Sequence, residues 1–168
     1  MKKFFFTYLF IIFCFFLGNS YAKENIVFLD LDYILSNSNK GKAILSELEG
    51  LNKENLQKMK IKEDLIKKEE QEIISQKKII SEEIYSEKVK NLKKKIQSFR
   101  NDKNELVKQF TNEREKKINN FFQIINKILA NYVEKNSIDL VLNKKDILIG
   151  KNEYNITNDI LEIVNKLD

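Results

Sequence analysis

Proline and histidine are absent from this sequence, cysteine occurs once and glycine only four times. Without histidine the chain has neither the side chain that titrates near neutrality nor the commonest metal ligand. The one cysteine, Cys14, lies in an N-terminal apolar run expected to be removed, so no thiol is left for a disulfide, a zinc site or a nucleophile. Three glycines remain beyond that run, Gly41, Gly50 and Gly150, and they match no phosphate-cradling pattern. Asp30 and Asp32 stand two apart at the end of an apolar run. Two carboxylates with no third ligand nearby are poor evidence for an acid–base pair or a metal site. The expectation is therefore a protein without catalytic, cofactor-binding or metal-ligating residues, and not an enzyme.

Lys2 and Lys3 precede Phe4 to Leu17, a run whose only clearly polar residue is Thr7, and Ser20-Tyr21-Ala22 follows with small residues at its first and third places. This is the pattern of a secretory signal peptide over residues 1–22, cleaved after Ala22. The run is shorter than the roughly 18 to 20 residues of a membrane span. Bulky Ile12-Phe13 before Cys14 argues against a lipidation site. Cleavage removes two lysines and no acid, so net charge falls from +5 to +3, with 28 basic residues against 25 acidic. The expected destination is an exported, aqueous compartment.

What the sequence has in abundance is a charged middle carrying an apolar stripe. Met59, Ile66, Ile73 and Ile80 fall seven apart, as do Leu92, Phe99 and Leu106, with Ile96 and Phe110 on the neighbouring row. Ile118, Ile125 and Tyr132 keep the step, with Phe121 and Ile128 between them. Such a repeat keeps one seam of a helix against another helix, as in a coiled coil. The two halves are out of phase: the first row continues from Ile80 to Glu87, whereas the second extrapolates back from Leu92 to Tyr85. The break fits a stutter in one long helix or the turn of a hairpin. The hairpin is the favoured reading, with its tip near Ser81 to Lys90 and limbs of roughly 40 residues, about 60 Å long at 1.5 Å per residue.

On either side of this arm lie short strand-like segments. Ile26-Val27-Phe28-Leu29-Asp30-Leu31 reads as a strand, followed by one helical turn at Asp32 to Leu35 and a polar loop in which Ser38 or Asn39 caps the next helix. Beyond Lys135-Asn136-Ser137, Ile138 to Leu142 reads as a second strand. Asp146 to Ile149 reads as a third, joined to it as a hairpin through Asn143-Lys144-Lys145. Thr157 is placed to cap a last helix with Ile160, Leu161, Ile163, Val164 and Leu167 as its apolar positions. The expected class is α+β. A small β head (23–41 and 136–168) of three short strands and a C-terminal helix carries a long antiparallel α-helical hairpin (42–135). Three strands leave unsatisfied edges, and so small a head buries little core alone, so oligomerisation is expected.

Taken together, Ile26 to Leu35, Gly41-Lys42-Ala43, Ser137 to Leu142, Ile147-Leu148-Ile149 and Ile156 to Leu161 resemble the Skp/OmpH family of periplasmic chaperones over nearly all the mature chain. Ile138 stands where family members commonly have an aromatic, and Asn155 where they have an aspartate. The resemblance implies periplasmic location and a homotrimer whose head is built from the subunits' strands: Ile26, Val27, Phe28, Leu29, Ile138, Leu140, Val141, Leu142, Ile147, Leu148 and Ile149. It implies ATP-independent holding of unfolded outer-membrane β-barrel proteins between helical arms. It supplies no catalytic residue.

Charge is unevenly divided. Lys40 to Glu134 holds 22 basic and 16 acidic residues, against 6 and 9 in the rest of the mature chain. Lys88, Lys90, Lys93, Lys94, Lys95 and Arg100 form a run without an acid, expected to meet acidic clients or an anionic lipid or lipopolysaccharide surface. An ordinary solvated helix face in a lysine-rich sequence has the same composition, and both readings stand. Ile61, Leu65, Ile74 and Ile79 lie beside the main apolar rows and are candidates for client contact. Nucleic acid is not an expected partner: the chain is exported, and four of the six positive residues do not share a helix face. From a different class comes a structural coiled-coil protein that spaces or tethers envelope components; the flanking strands argue against it, because a spacer needs no sheet.

Overall fold

The computed structural model describes residues 24–167, so the expected signal peptide and its cleavage site lie outside the described residues. β1 (Ile26–Leu29) runs directly into a short helix, α1 (Leu31–Asn37). Asp30 sets the boundary: its Oδ1 accepts from the Tyr33 N–H at 2.9 Å, capping α1. Ser38, fully buried, ends α1 and caps α2 (Asn39–Gln76), its Oγ accepting from the Gly41 N–H at 3.1 Å. The helical turn expected after Asp32 is thus a seven-residue helix, and of the two candidate caps Ser38 is the one used.

α2 and α3 (Glu82–Lys135) are the two limbs of the expected hairpin. The turn between them lies at residues 77–81, ahead of the range read from the broken heptads (Ser81 to Lys90) and meeting it only at Ser81. Ser81 fixes it, with its Oγ accepting from the Ile84 N–H at 3.4 Å and Glu82 and Glu83 in the first turn, where the helix dipole favours acids. α3 ends at Lys135. Ser137 there takes φ 49, and the Ile138 N–H donates to the Val133 carbonyl at 3.1 Å, a Schellman ending that turns the chain toward the sheet.

β2 (Leu140–Asn143) pairs parallel with β1, Ile26 opposite Leu140 and Leu29 opposite Asn143. The whole hairpin is the crossover between two adjacent parallel strands, so both feet of the arm stand on one sheet. Next to the ladder, the Asn25 N–H donates to Asp139 Oδ2 (2.7 Å) and the Asp139 N–H to the Asn25 carbonyl (2.9 Å), locking the register.

The three-stranded head is not what forms; the sheet has two strands. Asn143 accepts from the Lys145 N–H at 3.3 Å and starts a 3-10 turn over Lys144–Asp146 in place of a hairpin. Lys144 and Lys145 reach Asp30 and Asp32, each at 3.2 Å, which holds this turn against the start of α1. Ile147, Leu148 and Ile149 are in no strand. The free edge of β1 is taken by Asn155 and Ile156 instead: Phe28 bridges to Asn155, and the Ile156 N–H donates to the Phe28 carbonyl at 2.9 Å. A second 3-10 turn (Asn152–Tyr154) leads to α4 (Thr157–Lys166).

The core sits where these pieces meet. Val27 and Leu29 of β1, Ile34 and Leu35 of α1, Phe121, Ile125 and Ile128 of α3, Ile138, and Ile156, Ile160 and Val164 form one buried cluster. The Thr157 hydroxyl does not cap α4 as expected: it accepts from the Asp30 N–H at 2.9 Å and donates to Asn155 Oδ1, whose side chain also accepts from the Thr157 N–H. Tyr132 ties α3 to α4, its hydroxyl donating to Asp159 Oδ2 at 2.8 Å.

Candidate functional site

Outside the head, the two limbs touch only each other. Leu48 is buried near the foot and Ile73 and Leu92 near the tip. Between them Met59, Ile66, Ile96, Phe99, Leu106 and Phe110 are half-buried, as the heptad rows require. Beside this apolar row runs a polar one that was not anticipated. Lys88 Nζ donates to Gln76 Oε1 at 2.5 Å, Lys95 Nζ to both carboxylate oxygens of Glu69 at 2.7 Å, and Lys62 Nζ to Asp102 Oδ2 at 2.8 Å. Nearer the head Lys117 Nζ donates to Glu47 Oε1 at 2.9 Å, and this hydrogen bond holds the lysine's pKa above its ordinary value. The first three rungs step by seven residues on both limbs. The signal was available in the sequence, since the same heptad register that carries the isoleucines carries these polar residues next to them.

The basic run is thereby divided. Lys88 and Lys95 are used between the limbs. Lys90, Lys93, Lys94 and Arg100 are exposed, and at 100° per residue they fall within an arc of about 120° on the outer side of α3. Lys90, Lys93 and Lys94 line one shallow depression with Ser86, Val89 and Gln97. The expectation that four of the six positive residues do not share a face is corrected: four of them do. At the tip Lys77 lies 5.7 Å above the Tyr85 ring, a cation–π contact that steadies the turn.

Apolar exposure on the limbs is extensive. Ile61, Leu65, Ile74 and Ile79 are all open to solvent, Ile79 at 81%, and Leu56, Ile84 and Val107 join them. Two of these, Leu56 and Val107, belong to a groove of about 540 Å³ between the limbs, lined also by Met59, Phe99, Leu106 and Phe110. The head has its own apolar surface: Leu148 is 96% exposed and Ile149 89%, with Tyr33, Leu140 and Leu142 also exposed. Among the strand residues expected to build an oligomeric head, Val27, Phe28, Leu29 and Ile138 are buried within the subunit, and Val141 and Ile147 are half-buried. Ile26, Leu140, Leu142, Leu148 and Ile149 are left at the surface.

The head electrostatics are structural. The Tyr33 N–H and then Lys144 hold the Asp30 carboxyl below its ordinary pKa. Burial first, then Asp159, pushes the Tyr132 phenol up to about 12. Among the described residues no group of three or more acids, cysteines or histidines is placed to hold a metal, and no helix is long and apolar enough to cross a membrane.

The family described as outer membrane protein (OmpH-like) matches residues 25–164. In three dimensions the chain is similar to the crystal structure of a protein from Caulobacter crescentus described as an OmpH-like outer membrane chaperone. The TM-score is 0.78 at 12% identity, covering 88% of this chain and 87% of that one. No curated protein sequence matches.

Proposed function

Because this chain belongs to the OmpH-like outer membrane protein family, we propose that it is an ATP-independent chaperone of the periplasm. In this reading it holds unfolded outer-membrane β-barrel proteins between helical arms during their transit. The observation that carries it is the exposed apolar surface of the arm: Leu56, Ile61, Leu65, Ile74, Ile79 and Val107 stand open on limbs that bury only a narrow seam between them. Scattered apolar contacts on long helices suit many unrelated unfolded sequences, which one shaped pocket would not. The outer face of Lys90, Lys93, Lys94 and Arg100 attracts acidic clients or an anionic lipid or lipopolysaccharide surface, an effect that weakens with salt.

The working form is a homotrimer. Leu148 and Ile149 on the head are large apolar residues with almost complete exposure, and a second and third copy covering them places three arms around one cavity. A paired sheet at the feet of a doubled-back hairpin favours this arrangement over a spacer or tether, which would use the arm as a straight rod.

The test is dilution of a urea-unfolded β-barrel outer membrane protein into buffer with and without the mature chain. Near-stoichiometric protein, counted as trimer, keeps the client in solution; aggregation at the same rate in both cases overturns the reading. Lys90→Gln, Lys93→Gln and Lys94→Gln together slow client capture at low salt, measured by stopped-flow fluorescence. An unchanged rate means the basic face is idle.

A further inference from the structure

The polar ladder between the limbs lacks one rung. Lys62–Asp102, Glu69–Lys95 and Gln76–Lys88 share one antiparallel register, and Glu47–Lys117 continues it toward the head. Between Lys62–Asp102 and Glu47–Lys117 that register sets Asn55 opposite Gln109, and no bond joins them. Gln109 Nε2 donates instead to Glu105 Oε1 on its own helix at 3.1 Å. The apolar groove beside Asn55 occupies this gap, with Leu56 63% exposed and Val107 59% exposed on its two walls. At the three rungs on the tip side and at Glu47–Lys117 a polar bond crosses between the limbs; at Asn55 and Gln109 none does, and the limbs meet there through the apolar seam alone.

The rim shows what would fill the groove. Asn52 and Asn55 carry amides that make no hydrogen bond among the described residues, and neither Lys60 nor Lys103 closes an ion pair there, although, after the Lys67 hydrogen bond, the Lys103 charge helps hold the Glu63 carboxyl below its ordinary pKa. The one acid on the rim, Glu63, is taken by Lys67 at 2.7 Å. Side-chain amides offer a donor and an acceptor together, which complements the free N–H and C=O of an extended backbone; an acyl chain has neither group. Two rim ammonium groups not closed into ion pairs, against one acid already held by Lys67, leave the rim net positive above an apolar floor, which complements a carboxylate next to an apolar side chain.

We infer that the gap at Asn55 and Gln109 is a docking site within each single arm for an extended polypeptide segment in which an apolar side chain stands beside an aspartate or glutamate. This rests on the chaperone reading and adds to it: part of the client is held between the limbs of one arm, not only in the space between arms. The site works without trimerisation and binds acidic-apolar segments before basic ones.

The experiment uses the whole mature chain and a urea-unfolded β-barrel outer membrane protein as the probe. A photoreactive benzoylphenylalanine replaces Val107 in the groove or, as a control, exposed Asn112 on the same limb. The expected result is client crosslinking from Val107 at least about threefold above Asn112, on client peptides with an apolar residue next to an acid. Rebuilding the rung with Asn55→Lys and Gln109→Glu, in the pattern of Lys62–Asp102, lowers both the Val107 crosslink and client affinity about three- to tenfold, while the thermal midpoint stays or rises. Equal crosslinking from both positions, crosslinks to a second copy of this chain, or undiminished crosslinking after the rung is rebuilt overturns the assignment. Failure of the unmodified protein to keep the probe soluble overturns the chaperone reading itself. Protection without a Val107 crosslink overturns only the groove.

Discussion

Gly41 and Gly50 lie nine residues apart in one helix and are set to respond in opposite directions to the same substitution. A Cβ on Gly41 would fall far inside van der Waals contact distance of the Leu35 carbonyl oxygen, and within 2.8 Å of the Ser38 Oγ that caps the helix. A Cβ on Gly50 would meet nothing within 4 Å. Gly50→Ala therefore stabilises the arm by about 0.5–1 kcal/mol, the intrinsic helix preference of alanine. Gly41→Ala is destabilising because the α1–α2 junction must shift; thermal unfolding of the two variants checks the sign of each. Two titrations act at the same scale. The Tyr132 phenol is held neutral by the fold, up to about 12. Its contribution is complete below pH 10 and lost as pH rises from about 10 to 12, and Tyr132→Phe removes that alkaline slope. Asp30 runs the other way: its carboxyl is held below the ordinary value of 3.8 by the Tyr33 N–H and Lys144, so its contribution is present above that pH and lost as pH falls through the lower folded value. Asp30→Asn flattens the acid limb of a stability–pH profile.

In the arm as an element, the apolar seam and the polar ladder do different work. The rungs are ion pairs with side chains half in water: Lys62 and Asp102 are 51% and 45% exposed. Such pairs couple by roughly 0.2–1 kcal/mol and fade with salt. Leu92, 7% exposed, is one of the few seam residues removed from water. Leu92→Ala costs about 2–5 kcal/mol, at the lower end where the seam can collapse. A double-mutant cycle on Lys62→Ala and Asp102→Ala, with coupling that vanishes at high salt, alongside the larger loss in Leu92→Ala, checks this division. The ladder sets register and the seam supplies stability. The heptad spacing was legible because it is a local property of one helix. The position of the turn was less so: the apolar rows put it at Ser81 to Lys90, a few residues too late, whereas Ser81-Glu82-Glu83, a helix start signature, stands at its end.

At the scale of the whole molecule, the proposed assembly rests on the head. Leu148 and Ile149 are exposed and outside any strand, so in the proposed trimer they are the residues expected to be buried against neighbouring copies. Leu148→Asp with Ile149→Asp then yields monomers in sedimentation velocity at micromolar concentration, with helix content kept. Trimers that persist would mean that the arms, not the heads, assemble the protein. Neither residue contributes to the core of its own subunit, so the substitution tests assembly without testing folding.

By itself the sequence determined two long heptad-bearing helical stretches, the two strand segments that flank them, and the apolar stripe they carry. Each follows from period, β-branching or an absence of proline, which act over a few neighbouring residues. The sequence favoured a hairpin over a stutter without deciding between them. Only the tertiary structure decided that Ile147 to Ile149 form no third strand. Asp30 and Asp32, over 110 residues away, draw Lys144 and Lys145 into a 3-10 turn, and Asn155 and Ile156 occupy the strand edge. It also decided that Lys88 and Lys95 face the opposite limb while Lys90, Lys93 and Lys94 do not. A run of like charge has no preferred partner until folding brings Gln76 and Glu69 opposite two of its members.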